Sequence, residues 1–372
     1  MKVLDFIKEH IDWEYRLGSL PYRIKASWDG DYVILKYNQY ESDFHEEIVR
    51  ECRGSIFYIP NHDHKQAICV CMPFYKFGNY GESYADTIDW THAWATEKID
   101  GSLIKVWYHN GWHVSTNGCI DAAKAPTQVE GLSFYDIFMR ILNKIDSAKD
   151  FFNALKTNYV YMFELVSPDA RVTIEYPEDR LYILCGRNMD TFQEETYPSM
   201  HYNYVKVPVW HYVNSLEQCI EEASKMGADE EGFVVCDPIH HRVKVKSDAY
   251  LVASRARHNN VVNAKYVIEL MREEKLDDFL AYAPDKKEIV DNILSIYQWI
   301  EDTLDLYYLF ALQMKADKTD MQWYQVVEEL PAQYRGYAYS RMNGKVSSTK
   351  EYLENMTISK LVDWIDEERV AE

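Results

Sequence analysis

The sequence lacks any continuous apolar stretch long enough to cross a bilayer. Its first ten residues form a charged amphipathic pattern and not the apolar run of a signal peptide. Cysteine is scarce, because the 372 residues include only seven, an odd number that is too widely spaced for a disulfide framework. These absences predict a cytoplasmic protein with no membrane partner.

Positive charge is also in short supply. The chain has 40 Lys and Arg residues against 60 Asp and Glu residues, which gives a net charge of −20. A protein that holds nucleic acid by bulk charge is normally basic. The composition therefore excludes that mode of binding for the chain as a whole, and any nucleic-acid partner must be bound in a local cationic groove.

Apolar and aromatic residues are abundant, at 47% and 15%, which is enough to build two domains. Runs rich in β-branched and aromatic residues predict strands at 31–37, 103–108, 159–166, 180–185 and 232–236, and helical patterns interrupt them at about 133–156 and 215–226. After about residue 255 the pattern turns helical, with further helices at about 320–329 and 357–368. We therefore predict an α+β domain over residues 1–254 and an all-helical C-terminal domain over residues 255–372.

The sharpest local motif is Glu-Lys-Ile-Asp-Gly-Ser at residues 97–102, between two predicted strands. It places Lys98 where a strand ends and a sheet cleft opens. Lys-x-Asp-Gly is also a common β-turn composition, since Asp and Gly favour the turn backbone. Taken alone, the motif favours an ordinary turn over a nucleophilic lysine.

Further charged residues change that balance, because each lies beside a predicted strand or turn. They are Arg53, Lys76, Glu164, Glu231, Lys244 and Lys246. The alternation in residues 242–246 directs Lys244 and Lys246 to one face of a strand and the intervening valines to the other. Two lysines on one strand face usually mean a solvated surface. Together with Glu231 and Lys98, they indicate one wall of a phosphate pocket.

In this order and rough spacing, these motifs resemble those of the covalent nucleotidyltransferases, which include DNA ligases, RNA ligases and mRNA capping enzymes. The chain most closely resembles the tRNA-repair RNA ligases of the T-even bacteriophage type, over nearly its whole length. The resemblance implies a nucleotidyltransferase domain of antiparallel sheets with flanking helices, and a helical domain that selects the RNA. Two positions depart from the family pattern: Asn117 stands where a lysine is expected, and Gly78 stands where a second aromatic residue is expected.

The resemblance implies an ATP-dependent RNA ligase of phage origin that acts as a monomer, with cleaved tRNA as the expected substrate. Lys98 would attack the α-phosphate of ATP, AMP would pass to an RNA 5′-phosphate, and a 3′-hydroxyl would then displace AMP. Mg²⁺ is the expected metal cofactor. An amine attacks only when it is neutral, so cations beside the nucleophile would favour loss of its proton.

The resemblance also implies a role for each site residue. Lys98 is the catalytic nucleophile, and Tyr250 serves the RNA-ligation step. The nucleotide-binding residues are Tyr37, Arg53, Lys76, Gly101, Glu164, Glu231, Lys244 and Lys246, with Arg53 and Lys76 on the β- and γ-phosphates and Glu164 on a ribose hydroxyl. The metal positions are Glu231 and Asp277.

Other functions stay open. A DNA ligase or capping enzyme would use the same Lys98 chemistry, but those relatives normally continue into an OB-fold, whereas this chain turns helical. A non-catalytic RNA-binding or phage tail-fibre assembly protein could retain the nucleotide pocket. A zinc site at His62, His64, Cys69 and Cys71 is disfavoured, because neither pair has the usual ligand spacing.

Overall fold

In the computed structural model the chain forms two compact units, Met1–Asn259 and Asn260–Glu372. The structure describes residues 1–39, 41–144, 148–196, 205–251, 262–272, 275–317 and 322–371. The domain boundary predicted at residues 254 and 255 lies outside these ranges.

The first unit begins with a four-stranded antiparallel sheet under three short helices. The strands, in order across the sheet, are β1 (Ile24–Asp29), β2 (Tyr32–Tyr37), β3 (Arg53–Tyr58) and β4 (Ile68–Cys71), and the helices are α1 (Lys2–Glu9), α2 (Trp13–Gly18) and α3 (Glu47–Glu51). Val33 and Leu35 lie in the core beneath the helices, whereas Ile34 lies in a second core on the opposite face. Both faces of this sheet are therefore covered.

The second core is shared with a larger sheet. Its strands are β6 (Ser102–Tyr108), β7 (Trp112–Thr116), β8 (Tyr159–Val166), β9 (Arg180–Asn188), β10 (Glu194–Glu195) and β11 (Val205–Lys206), and they run in the order β10-β9-β8-β6-β7, with β11 parallel to β9. On β8, Val160 and Met162 face the first sheet, while Phe163 and Leu165 face helices α4 (Phe134–Asn143) and α5 (Ala148–Ala154). The near-continuous apolar run in β8 therefore reflects burial on both faces.

A third sheet contains β5 (Trp94–Glu97), β12 (Trp210–Tyr212), β13 (Gly232–Cys236) and β14 (Arg242–Lys246), in the order β12-β5-β13-β14. Helix α6 (Leu216–Ser224) packs on one face, over Val243 and Val245. Ser215 begins this helix, and its hydroxyl accepts a hydrogen bond from the Gln218 N–H. Because side chains alternate along a strand, Lys244 and Lys246 face the other side of the sheet, as the sequence predicts.

The second unit is all-helical over the ranges that the structure describes for it. Its helices are α7 (Ala264–Arg272), α8 (Leu276–Tyr282), α9 (Lys287–Asp317), α10 (Trp323–Glu328), α11 (Ala332–Met342), α12 (Thr349–Glu354) and α13 (Ile358–Ala371). Val290, Ile293 and Ile300 of α9 are fully buried, as their helical spacing predicts. The predicted fold class, an α+β unit followed by a helical one, is confirmed.

None of the described helices combines the length and the apolar character that a membrane span requires.

A buried ion network joins the second and third sheets. The Glu194 carboxylate of β10 pairs with the guanidinium groups of Arg187 on β9 and of Arg242 on β14. The exposed fractions of the three side chains are 7%, 4% and 12%. Burial alone would raise the pKa of Glu194, but Arg242 and Arg187 outweigh it and hold the pKa below its usual value. The network therefore fixes the start of β14, the strand that carries the lysine pair.

Replacing Glu194 with Gln should lower the free energy of unfolding by about 3–5 kcal/mol, because two largely buried guanidinium groups lose their carboxylate. Urea denaturation at neutral pH measures this loss. The depressed pKa makes the stabilisation complete above the unfolded-state value of about 4.3. It is lost as the pH falls through the folded-state pKa, so the two proteins should converge in acid. Glu195→Gln, at the exposed neighbour, is the control and should change stability by less than about 0.5 kcal/mol. A Glu194→Gln protein as stable as the parent would show that the network contributes nothing.

Candidate active site

Lys98 lies where the third sheet passes into the second, in the short connection between β5 and β6. Its backbone N–H donates to the Gly232 carbonyl at 2.8 Å, which continues the pairing of β5 with β13 by one residue. Its side chain is 20% exposed. The amine is thus held at the edge of a sheet but can be reached from solvent.

The Lys98 amine lies against a buried carboxylate. Nζ of Lys98 is 2.8 Å from Oε2 of Glu231, and Nζ of Lys246 is 2.9 Å from Oε1 of the same group. The side chains of Glu231 and Lys246 are only 1% and 2% exposed. One carboxylate therefore bridges the candidate nucleophile and one lysine of the β14 pair, which brings together three residues that are far apart in the sequence.

Residues 98–100 form no hydrogen-bonded turn, and the chain bends at Gly101. The Asp100 carboxylate instead reaches across to the segment after β8. Its Oδ2 accepts the backbone N–H groups of Thr173 and Ile174, each at 2.7 Å. The aspartate of the motif thus anchors the Lys98 connection to the second sheet, a role that the sequence did not reveal.

Tyr250 completes this anchor. Its hydroxyl donates to Oδ1 of Asp100 at 3.0 Å, and its side chain is 1% exposed. Burial raises the pKa of Tyr250 well above its usual value, and the negative charges of Glu231 and Asp100 add to that effect. The hydroxyl therefore stays protonated and acts here as a donor within the protein.

Glu164 shares the electrostatic environment of the site. It lies on β8 opposite Leu103 of β6. Burial raises the pKa of Glu164 to about 7, because desolvation outweighs the attraction of Lys98 and Arg53 for the carboxylate. The negative charge of Glu231 raises this pKa further. This carboxyl group consequently changes its charge near neutral pH.

Two glycines permit close approach of backbones around Lys98. A Cβ on Gly101 would lie 2.5 Å from the Leu165 carbonyl oxygen, and one on Gly232, where φ is +132°, would lie 2.2 Å from the Val245 carbonyl oxygen. Each glycine is therefore required by packing within the protein. A role for Gly101 at the nucleotide stays a prediction.

Arg53 and Lys244 flank one aromatic side chain. The Arg53 guanidinium lies 4.5 Å from the ring centroid of Phe74 and 5.8 Å from that of Phe77, and the Lys244 ammonium lies 5.6 Å from Phe77. The Lys244 N–H also donates to the Gly78 carbonyl at 3.0 Å, so the segment around Phe77 runs beside β14. A Cβ on Gly78 would already lie 3.1 Å from the Ala85 backbone, which explains why no aromatic side chain occupies this position.

Lys76 and Tyr37 lie next to each other at the first sheet, where Tyr37 is the last residue of β2. The Lys76 ammonium is 5.0 Å from the Phe44 ring centroid and 5.5 Å from that of Tyr37, and both Lys76 and Tyr37 are 4% exposed. These contacts place Lys76 among aromatic rings. Contact of either residue with a nucleotide stays a prediction.

A fully buried lysine was missed by the sequence reasoning. The Lys105 ammonium of β6 donates to the Gly54 carbonyl, next to Arg53. A Cβ on Gly54 would lie within 3 Å of both the Lys105 ammonium and Oδ1 of Asn117, so these groups meet at one point. The signal was present, since Lys105 is the one charged residue between Leu103 and Tyr108 in an otherwise apolar strand.

Asp277 belongs to α8 of the second unit and is 9% exposed. Its role as a metal position stays a prediction. Across the described ranges, no three or more His, Cys, Asp or Glu side chains are grouped as metal ligands. Cys69 and Cys71 lie in β4, and burial raises the pKa of each thiol, so the disfavoured zinc site gains no support.

The sequence profile of a family described as RNA ligase matches residues 51–250, more than half of the chain. The chain belongs to this RNA ligase family. The matched segment contains Arg53, Lys98, Glu231 and Tyr250, and it ends before the second unit begins.

Two relatives of the chain come from a virus and from a phage. A protein of Autographa californica nuclear polyhedrosis virus, described as a bifunctional polynucleotide kinase/RNA ligase, is 30% identical over 286 residues, which cover 72% of this chain and 40% of that protein. The RNA ligase of Rhodothermus phage RM378 is 25% identical over an alignment of 341 residues. The match covers 74% of this chain and 75% of that one. An archaeal ATP-dependent RNA ligase structure has a TM-score of 0.45 at 13% identity, over 77% of each chain. The chain spans less than half the length of the relative from Autographa californica nuclear polyhedrosis virus.

Replacing Tyr250 with Phe removes the hydroxyl that donates to buried Asp100. We expect the free energy of unfolding to fall by about 1.5–3 kcal/mol, since the lost hydrogen bond is to a charged group. Chemical denaturation measures this change, and Tyr15→Phe, at a tyrosine that is 78% exposed, is the control. If Tyr250→Phe left stability intact but blocked only the sealing of RNA, the hydroxyl would act on the RNA and not on Asp100.

Replacing Glu164 with Gln should remove one ionisation from the pH profile of kcat/KM for ATP. If the carboxylate form binds the ribose, activity of the parent rises with pH through about 7. Gln cannot ionise, so this limb should disappear while any limb at higher pH persists. Glu175→Gln, at a side chain that is 74% exposed, should leave the profile unchanged. A profile of Glu164→Gln identical in shape to that of the parent would remove Glu164 from the nucleotide site.

Proposed function

We propose that this protein is an ATP-dependent RNA ligase that joins 3′-hydroxyl and 5′-phosphate ends through a lysyl-AMP intermediate on Lys98, in the repair of tRNA broken in its anticodon loop. The observation that carries the proposal is the contact of Lys98 and Lys246 with the same buried Glu231 carboxylate. Membership of the RNA ligase family supports it.

In the first step, the lone pair of the Lys98 amine forms a bond to the α-phosphorus of ATP, the bond to the bridging oxygen breaks, and pyrophosphate leaves. The ion pair with Glu231 engages this amine before reaction. Attack therefore requires the amine to lose a proton and to turn from Glu231. Glu231, at 2.8 Å, is positioned to accept that proton.

The cations of the site would stabilise the phosphates. Lys244 and Lys246 share a face of the third sheet with Lys98. In this proposal, the α-phosphate lies beside that face, and negative charge develops on it during the reaction. Arg53 offers a planar fork that suits two phosphate oxygens, and we assign it and Lys76 to the β- and γ-phosphates. Glu164 is assigned to a ribose hydroxyl.

The carboxylates of the site fit a hard divalent cation. Glu231 and Glu164 offer oxygen ligands, and Mg²⁺ is usually held by one or two carboxylates together with substrate phosphates and waters. Both oxygens of Glu231 are engaged by lysines, so metal binding and release of Lys98 would be coupled. Such a cation would supply charge neutralisation at the phosphates. Asp277 is kept as a proposed second position.

In the later steps, a phosphate oxygen of the RNA 5′-end displaces Lys98 from AMP, and the RNA 3′-hydroxyl then displaces AMP. In this proposal, the helical domain of residues 255–372 selects the RNA. The site in the first unit would bind ATP and a terminal phosphate, and these groups do not distinguish one RNA from another. We propose that the protein acts as a monomer in the cytoplasm. All seven cysteines are free thiols, which suits a reducing compartment.

Incubation with α-labelled ATP and Mg²⁺ should leave label on the denatured polypeptide, because the lysyl-AMP bond is covalent. Lys98→Ala should abolish the label. Lys246→Ala should reduce the rate of labelling by about 100-fold or more, the usual effect of losing a group that stabilises transition-state charge. Lys65→Ala, at an exposed position in the short 3-10 helix between β3 and β4, is the control and should label normally.

The labelled protein is then offered a cleaved tRNA anticodon stem-loop and a nicked DNA duplex. Sealing of the RNA with release of AMP is the expected result. Absence of any label would refute the ligase and favour a binding protein that retains the pocket. Preferential sealing of nicked DNA would assign a DNA ligase to the same lysine.

A further inference from the structure

One face of the third sheet joins the lysine site to an exposed group of aromatic residues. The residues in register across the four strands are Trp210, Thr96, Val234 and Lys244. Side chains directly opposite one another on neighbouring strands lie on the same face. The next row, two residues along, pairs Tyr212 with Trp94. These aromatic side chains therefore share a face with the lysine pair.

The two edges of this face differ in burial. Lys244 and Lys246 are 9% and 6% exposed, whereas Trp210 and Tyr212 are 51% and 77% exposed. On the opposite face, Phe233, Val235 and Val245 are buried in the core beneath α6, whereas His211 of the edge strand β12 is exposed. The face is thus covered at the β14 edge, and its aromatic side chains on β12 are accessible at the other edge.

The geometry of the two tryptophans suits stacking. The rings of Trp94 and Trp210 are parallel within 8°, with centroids 5.6 Å apart. Trp94 begins β5, and Lys98, four residues later, extends the pairing of β5 by one residue, so alternation directs both side chains to one face. The Glu97 N–H donates to the Val209 carbonyl at 2.9 Å, which fixes the residue before Trp210 to the residue before Lys98. The pair is therefore built into the same backbone as the nucleophile.

We propose that Trp210, supported by Trp94, stacks on a base of the single-stranded RNA near the end that is joined. This inference rests on the proposed ligase function. Three strand spacings of about 4.8 Å separate Trp210 from Lys244, about 14 Å in all. Phosphates of a stacked strand lie about 3.4 Å apart along its axis, so roughly four nucleotides cover that distance.

The acidity of the chain makes such a contact useful. With a net charge of −20, affinity for RNA phosphates is confined to the few cations of the cleft. Stacking on an aromatic ring requires no charge and accepts any base, because every base has a π face. The tryptophan pair would thus supply affinity that salt does not screen.

The test measures binding of a short 5′-phosphorylated single-stranded RNA to the full chain across a range of salt concentrations, without ATP. Trp210→Ala should weaken binding by roughly 10-fold at every salt concentration, the scale of losing one base stack. The slope of affinity against salt should not change, whereas Lys244→Ala should reduce it. Trp210→Phe should retain most of the affinity, and Trp210→Leu, which keeps apolar area without an aromatic ring, should not.

A fluorescent 2-aminopurine placed within about four nucleotides of the RNA end should be quenched by the parent protein and not by Trp210→Leu. Tyr15→Ala, at an exposed tyrosine on α2, is the matched control and should bind and quench normally. The leucine variant also keeps the test valid if Trp210→Ala does not fold.

Three results would overturn the proposal. The first is an unchanged RNA affinity in Trp210→Ala. The second is a raised KM for ATP when Trp210→Ala is labelled without RNA, since this would assign the ring to ATP. A changed oligomeric state with intact RNA binding is the third, and it would assign the surface to a second copy of the chain. Failure of the parent to label with ATP would refute the ligase function while leaving the effect of Trp210 on RNA binding measurable.

Discussion

The site depends on one buried carboxylate placed between two lysines. Glu231 lies within 2.9 Å of both Lys98 and Lys246, and neither the Glu231 nor the Lys246 side chain is more than 2% exposed. Burying an ion is costly unless it is paired. Two cations share one anion, so the cluster keeps an excess of positive charge that a bound polyphosphate would balance. The same contact holds the Lys98 amine in place, and in the proposed function the surplus positive charge of the two lysines suits an anionic ligand.

This arrangement requires close contact between the second and third sheets around Lys98. Gly232 lets the Lys98 connection and β14 approach β13, where any side chain would collide with the Val245 carbonyl. Asp100 ties the same connection to the second sheet through two backbone N–H groups, and Tyr250 closes the contact from the far end of β14. Tyr250 lies just before the second unit. The end of the described part of the first unit is thus held against the lysine motif.

Local patterns were sufficient for the five predicted strands, for helices α9, α10 and α13 of the second unit and for the common face of Lys244 and Lys246. They were insufficient where a role arises from long-range pairing. Lys-x-Asp-Gly has the composition of a turn, but Asp100 accepts hydrogen bonds from residues more than 70 positions away. Glu194 gave no signal, since its partners are brought together only by the packing of two sheets. The stretch at 133–156, predicted as one helical run, contains the separate helices α4 and α5, because apolar spacing alone does not show where a helix ends.

The acidity of the chain does not conflict with an RNA substrate once the range of each force is considered. At physiological ionic strength the Debye length is about 8 Å, so acidic side chains elsewhere on the surface are largely screened from an RNA bound in the cleft. Inside the cleft, burial reduces screening, and Lys244, Lys246 and Arg53 act at close range. Acid on the remaining surface then disfavours RNA everywhere else. A strongly acidic protein with a small cationic cleft and an uncharged stacking surface beside it can therefore be more selective for RNA ends than a basic one, because binding outside the cleft gains nothing.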